Sequence, residues 1–119
     1  MPRYLLLLRD ESEKLEKLAD QERNALFARF VQWTEALHRE GRLHGVERLE
    51  ADRGRTVRKR AGAITVDGPY AEGKEAVVGL YIVEATDDEE AARLAAQVPV
   101  VEAGGSVEVR QIGDFPKPE

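Results

Sequence analysis

Residues 66–84, VDGPYAEGKEAVVGLYIVE, decide how this chain folds. Their first part combines strong turn formers, because Asp accepts local backbone hydrogen bonds, Gly permits positive φ and Pro fixes its own φ. Their second part is the most apolar run in the sequence and predicts a strand over roughly 76–85. A rigid turn with clustered ionisable groups therefore leads directly into the central strand.

Length and composition indicate one globular domain. The chain has 119 residues, of which 42% are apolar and 34% charged, enough to bury a single core. We expect one domain over residues 1–113 and a flexible C-terminal tail over 114–119. The formal net charge of −5 argues against direct nucleic-acid binding, which needs a basic surface.

The residue types that are missing exclude several kinds of site. There is no cysteine, so disulfides, thiolate metal ligands and a cysteine nucleophile are excluded. With only two histidines and no His-x-x-x-His pair, we expect no metal and no cofactor. No apolar run approaches the ~20 residues of a membrane helix. We therefore expect no membrane contact and a cytoplasmic location.

The N-terminal half predicts a strand followed by a long helix. Tyr4–Leu8 is a short apolar run typical of a buried strand. Asp20 is the predicted N-cap, and Gly41 marks the C-terminal stop. Apolar residues at spacings of four, three and four define one helix face: Leu26, Phe30, Trp33 and Leu37. Trp33 is therefore predicted to belong to the core.

A connection and a predicted hairpin precede the central strand. Residues 43–49 predict a short strand or an extended connection, and 53–60 predict a polar, basic strand. Ala61-Gly62 forms a turn, and 63–66 returns as a second short strand. The basic side chains could hold an anion, but charges also keep an edge strand from pairing. We favour edge protection.

After the central strand, Thr86 and Glu89 predict a capping box for a helix over about 87–97. Residues 106–112 alternate and predict a strand with one solvent-facing side. The order strand, helix, strand region, strand, helix, strand fits an α+β ferredoxin-like sandwich, with two helices on one face of an antiparallel sheet.

Two strands are apolar on both faces, which predicts a partner. Leu5–Leu8 and Val77–Val83 do not alternate, although only one sheet face of such a sandwich meets helices. An unmatched apolar face in a globular chain is most economically covered by a second copy. We expect a homodimer packed sheet to sheet.

The candidate ligand site centres on the turn. Asp67 could act as a general base and Tyr70 as a hydrogen-bond donor, with Lys74 and Tyr81 completing a ligand-binding set. The alternative is structural: Asp67 caps its own turn and the Tyr70 ring packs on the sheet. In an isolated turn the structural interpretation is favoured.

His44 and Glu47 form a second candidate pair. They lie three residues apart after Gly41, where they could bind a ligand or share a proton. The simpler interpretation is a polar residue on an exposed connection. His38 is predicted to be a partly solvated surface residue.

The motif Asp67-Gly68-Pro69-Tyr70-Ala71-Glu72, with the strand 79–84 after it, resembles the DGPF-domain branch of the YCII-related family. The start at 4–8, the turn at 41–49 and the close at 105–110 also look like this family, so the resemblance covers nearly the whole chain. Tyr70 stands where the family usually has Phe, which keeps the ring. The resemblance implies a ferredoxin-like, dimeric α/β-barrel assembly of small bacterial proteins.

The resemblance does not supply a catalytic pair. In the YCII branch proper, a helix histidine and an aspartate before a proline are proposed as the catalytic dyad. Here Val98 precedes Pro99, and the helix carries Phe27 and Phe30 in the relevant region. DGPF-branch members are often found beside extracytoplasmic-function sigma factors.

Three functions of different class follow. The first is a homodimeric small-molecule-binding protein with a pocket near the Asp67–Tyr70 turn. The second is an isomerase- or lyase-type enzyme on a dimeric barrel, with Asp67 or His44 as base. The third is an interaction module linked to sigma-factor-dependent transcription. A buried, concave pocket on which Asp67 and His44 converge would favour the first two.

Overall fold

The computed structural model describes residues 1–11, 14, 17–50, 54–68 and 75–118. In chain order its elements are β1 (Arg3–Glu11), α1 (Asp20–Arg39), β2 (Leu43–Arg48), β3 (Thr56–Arg60), β4 (Ala63–Asp67), β5 (Glu75–Glu84), α2 (Asp88–Ala96), α3 (Pro99–Glu102) and β6 (Ser106–Gln111). Among these residues, no helix combines the length and apolar character needed to cross a bilayer.

Four strands form the main sheet in the order β2-β5-β1-β6, with antiparallel neighbours. β1 and β2 are parallel to each other on either side of β5, and α1 connects them. β5 and β6 likewise flank β1, and α2 and α3 connect them. These two split βαβ units confirm the predicted ferredoxin-like α+β sandwich.

The core lies between this sheet and the three helices. Alternate residues of the two central strands are buried on one face: Tyr4, Leu6, Leu8, Tyr81 and Val83. Each helix adds buried residues to the same cluster, namely Leu37 from α1, Ala91 and Ala95 from α2, and Val100 from α3. Phe30 and Trp33 pack against this cluster and are partly buried, as the helix stripe predicts.

The opposite face of the sheet, which we call the outer face, carries the other alternate residues. Leu5 pairs with Ile82 and Leu7 with Leu80 across the β1–β5 ladder. All four are half-buried. The outer face is therefore apolar at its centre, although the helices pack on the other side.

The cap of α1 differs from the prediction. Ala19 is the N-cap residue, and Asp20 is already helical with its carboxylate 3.1 Å from Arg23 Nη1. Asp20 instead places negative charge in the first turn, where the helix dipole favours it. The predicted stop is confirmed, since Gly41 follows the helix with φ of +72°.

The predicted capping box of α2 is wrong by one residue. Asp87 is the N-cap, and its carboxylate accepts a hydrogen bond from Glu90 N at 2.8 Å. Glu90 Oε1 reaches back to accept from Thr86 N at 3.1 Å. The Asp87–Glu90 pair has the same three-residue spacing as Thr86 and Glu89, and Asp is among the strongest N-cap residues.

β3 and β4 form a separate two-stranded sheet, which confirms the predicted hairpin. Ala61 and Gly62 have φ of +50° and +81°, as a type I′ turn requires. At its base, a Cβ on Gly68 would lie 2.4 Å from Gly54 O, so the two legs meet at a narrow neck that needs glycine. We call residues 54–68 the arm.

Candidate functional site

A cavity of about 460 Å³ opens between the main sheet and the first half of α1. Leu8, Val78 and Tyr81 come from the sheet, and Leu26, Phe27 and Phe30 come from α1. Val100 and Ala103 close one side, while Val46 and Leu49 stand at the β2 side. A mostly apolar concave site of this size is typical of small-molecule binding.

Asp10 is the buried charge of this cavity. Its side chain is 3% exposed, and it lies on the same face of β1 as Tyr4, Leu6 and Leu8. Asp10 Oδ1 accepts a hydrogen bond from Glu11 N at 2.7 Å, and Lys14 Nζ lies 3.6 Å from the same oxygen. These partners offset part of the cost of burying a carboxylate. Its remaining acceptor capacity is available to a ligand that donates a hydrogen bond.

Tyr81 lines the cavity with its ring, while its hydroxyl is hydrogen-bonded to another residue of the protein. Tyr81 Oη lies 2.7 Å from Thr34 Oγ1, and that hydroxyl donates to Phe30 O at 2.7 Å. Thr34 has a single proton to donate, so Tyr81 is the donor of the pair. The Trp33 ring packs edge-on against Tyr81 with centroids 4.9 Å apart. Burial raises the pKa of Tyr81, which keeps the phenol neutral.

Charged residues stand around the cavity. Arg23 lies on the α1 side, where its guanidinium contacts Asp20 Oδ1 and donates to Leu18 O, each at 3.1 Å. Arg48 and Glu50 pair at 2.9 Å on the β2 side. The interior is thus apolar with one buried carboxylate, and three of the charged residues around it, Arg23, Arg48 and Glu50, have ion-pair partners.

A second, smaller cleft of about 290 Å³ lies between the end of α1 and α2. Its centre is the ion pair of Arg42 Nη1 with Glu90 Oε1 at 2.6 Å. The hydrogen bond from Arg42 lowers the pKa of the Glu90 carboxyl group and raises that of Arg42. Arg42 also contacts Glu40 and Glu84 O, so we assign the charged groups of this cleft a structural role in joining α2 to the residues that follow α1.

The structure separates the predicted site residues. Glu47 and Tyr81 line the larger cavity, whereas Asp67 and His44 are not among its lining residues. Asp67 is exposed at the end of β4, opposite Thr56. Tyr70 and Lys74 lie outside the described residues.

His44 pairs with a residue that the sequence did not suggest. Its Nε2 lies 2.7 Å from Glu84 Oε1, and Glu84 is forty positions away. Strand alternation places Glu84 on the outer face with Leu80 and Ile82, away from the cavity. The proposed pair with Glu47 is therefore replaced by a cross-strand pair.

Sequence reasoning missed Asp10, although a signal was present. The alternation Tyr4, Leu6, Leu8 continues to position 10, so a strand longer than five residues would have placed this carboxylate on the core face. The predicted strand ended with the leucines. β1 in fact runs to Glu11, where Asp10 and Glu11 still pair with β5.

The YCII-related domain model matches residues 2–116, nearly the whole described fold. The chain belongs to the YCII-related family. In this YCII-related chain the cavity carries Phe27 and Phe30 on the helix, and Val98 before Pro99 is buried. The carboxylate of its cavity comes instead from β1. No curated protein sequence matches the chain.

Among solved structures, this YCII-related chain is similar to 5-chloro-2-hydroxyhydroquinone dehydrochlorinase (TftG) from Burkholderia phenoliruptrix AC1100, in complex with 2,5-dihydroxybenzoquinone. The sequences are 17% identical, the alignment covers 95% of each chain and the TM-score is 0.55. At this identity the likeness establishes a shared fold.

Proposed function

We propose that this protein is a homodimeric member of the DGPF branch that binds a small, largely apolar molecule in the larger cavity. The observation that carries the proposal is an apolar cavity of about 460 Å³ with one buried carboxylate, Asp10. Such sites fix a ligand through a few polar groups and hold its body through apolar contacts. The structural neighbour, which binds a quinone, lends support from the same fold.

The lining residues indicate the class of ligand. The rings of Phe27, Phe30 and Tyr81 favour a flat, ring-shaped body through stacking and edge contacts. Asp10 favours a group that donates a hydrogen bond or carries positive charge. We therefore expect aromatic amines and phenols to bind better than aromatic carboxylates of the same shape.

Trp33 provides the readout for binding. It contacts the Tyr81 ring, which lines the cavity, so occupation of the cavity alters Trp33 fluorescence. Benzylamine, phenol and benzoate form a matched set of probes. We expect benzylamine to bind most tightly and benzoate most weakly.

Asp10→Asn tests the role of the carboxylate, with Glu11→Gln as the matched control on the next residue. Loss of a charged hydrogen bond costs about 1.5–3 kcal/mol, so benzylamine affinity falls roughly 10- to 100-fold in Asp10→Asn. Glu11→Gln leaves affinity unchanged. The proposal fails if no probe binds, or if the two variants behave alike.

A second candidate function is an enzyme that uses Asp10 as general base. It is favoured by the same buried carboxylate, which lines the cavity and can accept a proton from a bound ligand. Asn keeps the shape of the site but accepts no proton. Turnover of a bound ring compound that disappears in Asp10→Asn while its binding persists would establish catalysis. Binding without turnover leaves the binding function.

A further inference from the structure

The arm has one apolar face that nothing in the described chain buries. Val57 pairs with Val66, and Lys59 with Ile64, so these four side chains share a face of the two-stranded sheet. Val57, Ile64 and Val66 are 63%, 65% and 59% exposed. The other face carries Arg58, Arg60, Ala63 and Thr65 among its residues. The arm is thus an amphipathic hairpin.

Such a hairpin requires a covering surface. An isolated two-stranded sheet is marginally stable in water and gains independent stability only from further strands or from packing. Three neighbouring β-branched side chains, each more than half exposed, mark an interaction surface.

The net charges of the arm and of the rest of the chain indicate which partner covers this face. Residues 54–68 contain four basic side chains and one carboxylate, a net charge of +3. The whole chain has a net charge of −5, so the remainder carries −8. An anionic lipid surface or a nucleic acid would attract the arm but repel the rest of the protein. A second copy presents an acidic body to a basic arm.

We propose that the apolar face of the arm docks on the body of a second copy of this chain. Apolar contact is made by Val57, Ile64 and Val66, and Lys59 on the same face of the arm meets the acidic body of the partner. The proposal shares the second copy with the proposed function, but it uses a different surface from the outer face and does not involve the ligand cavity.

Photo-crosslinking tests the contact directly. Because the chain has no cysteine, Ile64→Cys and Ala63→Cys each provide one labelling site for a benzophenone maleimide, on opposite faces of β4. We expect a dimer-sized adduct from position 64 and little from position 63. Adducts of monomer mass only, or equal yields from both faces, would overturn the proposal.

Affinity provides the second measurement. Ile64→Glu and Ala63→Glu introduce the same charge at neighbouring exposed positions, so neither disturbs the core. We expect Ile64→Glu to weaken the dimer about tenfold or more and Ala63→Glu to change it less than about twofold, by sedimentation equilibrium. Equal dimer constants for Ile64→Glu and wild type would refute it. So would a wild-type monomer, or an arm that binds anionic vesicles or oligonucleotides instead.

Discussion

Tyr4 joins the first strand to the second helix and is 2% exposed. Its hydroxyl donates to Asp88 Oδ1 at 2.9 Å. Burial, followed by this hydrogen bond, raises the pKa of Tyr4 from 10.0 to about 12. The unfolded chain therefore loses this proton at lower pH than the folded chain does. Stability that is present below pH 10.0 is lost as pH rises towards about 12.

We expect the melting temperature of the wild type to fall through this alkaline window, measured by circular dichroism. Tyr4→Phe removes the titrating group, so its melting temperature falls less steeply over the same window. Asp88 is exposed and can be solvated in the variant. Ultraviolet titration showing every tyrosine ionising together near pH 10 would contradict this account.

The spacing of residues in the sequence predicted a contact between two side chains only where both are close in sequence or lie on the same face of one helix or strand. The α1 stripe is of this kind, since its side chains fall on one face by helix geometry alone. The Glu84 partner of His44 and the Asp88 partner of Tyr4 lie on strands and helices that meet only after folding. Nothing in the local pattern indicated them.

Among the elements, β6 begins directly after Gly105, where the backbone passes close to β1 and α3. A Cβ on Gly105 would lie 2.4 Å from Arg9 O and 2.7 Å from Val100 Cγ2. Gly105→Ala therefore forces the strand away from β1 or α3, and we expect a loss of about 1–3 kcal/mol in the free energy of unfolding. Urea denaturation measures it.

Gly113→Ala is the control for this substitution, because a Cβ there would meet nothing within 4 Å. We expect its stability to stay within about 0.5 kcal/mol of the wild type. Equal urea midpoints for the two variants would mean that the close approach at Gly105 relaxes without cost.

The sequence identified the types of the main elements better than their ends. Periods of two and 3.6 residues distinguish strand from helix over long runs. The ends of the elements are harder to predict. Asp87, and not Thr86, is the N-cap of α2, and β1 continues beyond its leucines through the polar residue Asp10. The cavity was not predictable at all, because its walls come from five separate elements.

At the scale of the molecule, the outer face predicts how two copies meet. Leu5, Leu7, Leu80 and Ile82 form an apolar centre opposite the helices. We expect the wild type to be a dimer at about 50 µM, a concentration suited to a modest interface. Leu80→Lys places a charge in this centre and should yield a folded monomer.

Val31→Lys is the matched control, since Val31 is 55% exposed on α1 and away from the outer face. It should remain dimeric in the same sedimentation experiment. A wild-type monomer at about 50 µM, or a Leu80→Lys dimer as tight as the wild type, would contradict sheet-to-sheet packing.

The close approach of Gly54 and Gly68 at the base of the arm bears on how the arm can vary in evolution. β2 and β5 are adjacent antiparallel strands, and Leu49 N still donates to Val78 O where they part. The arm therefore interrupts what is topologically one hairpin connection, and its removal would cost the main sheet no hydrogen bond of its own ladder. Evolution can therefore change the length or the net charge of the arm while the sandwich stays intact. A change in the length or charge of the arm would therefore leave the larger cavity in place, since no residue of the arm lines it.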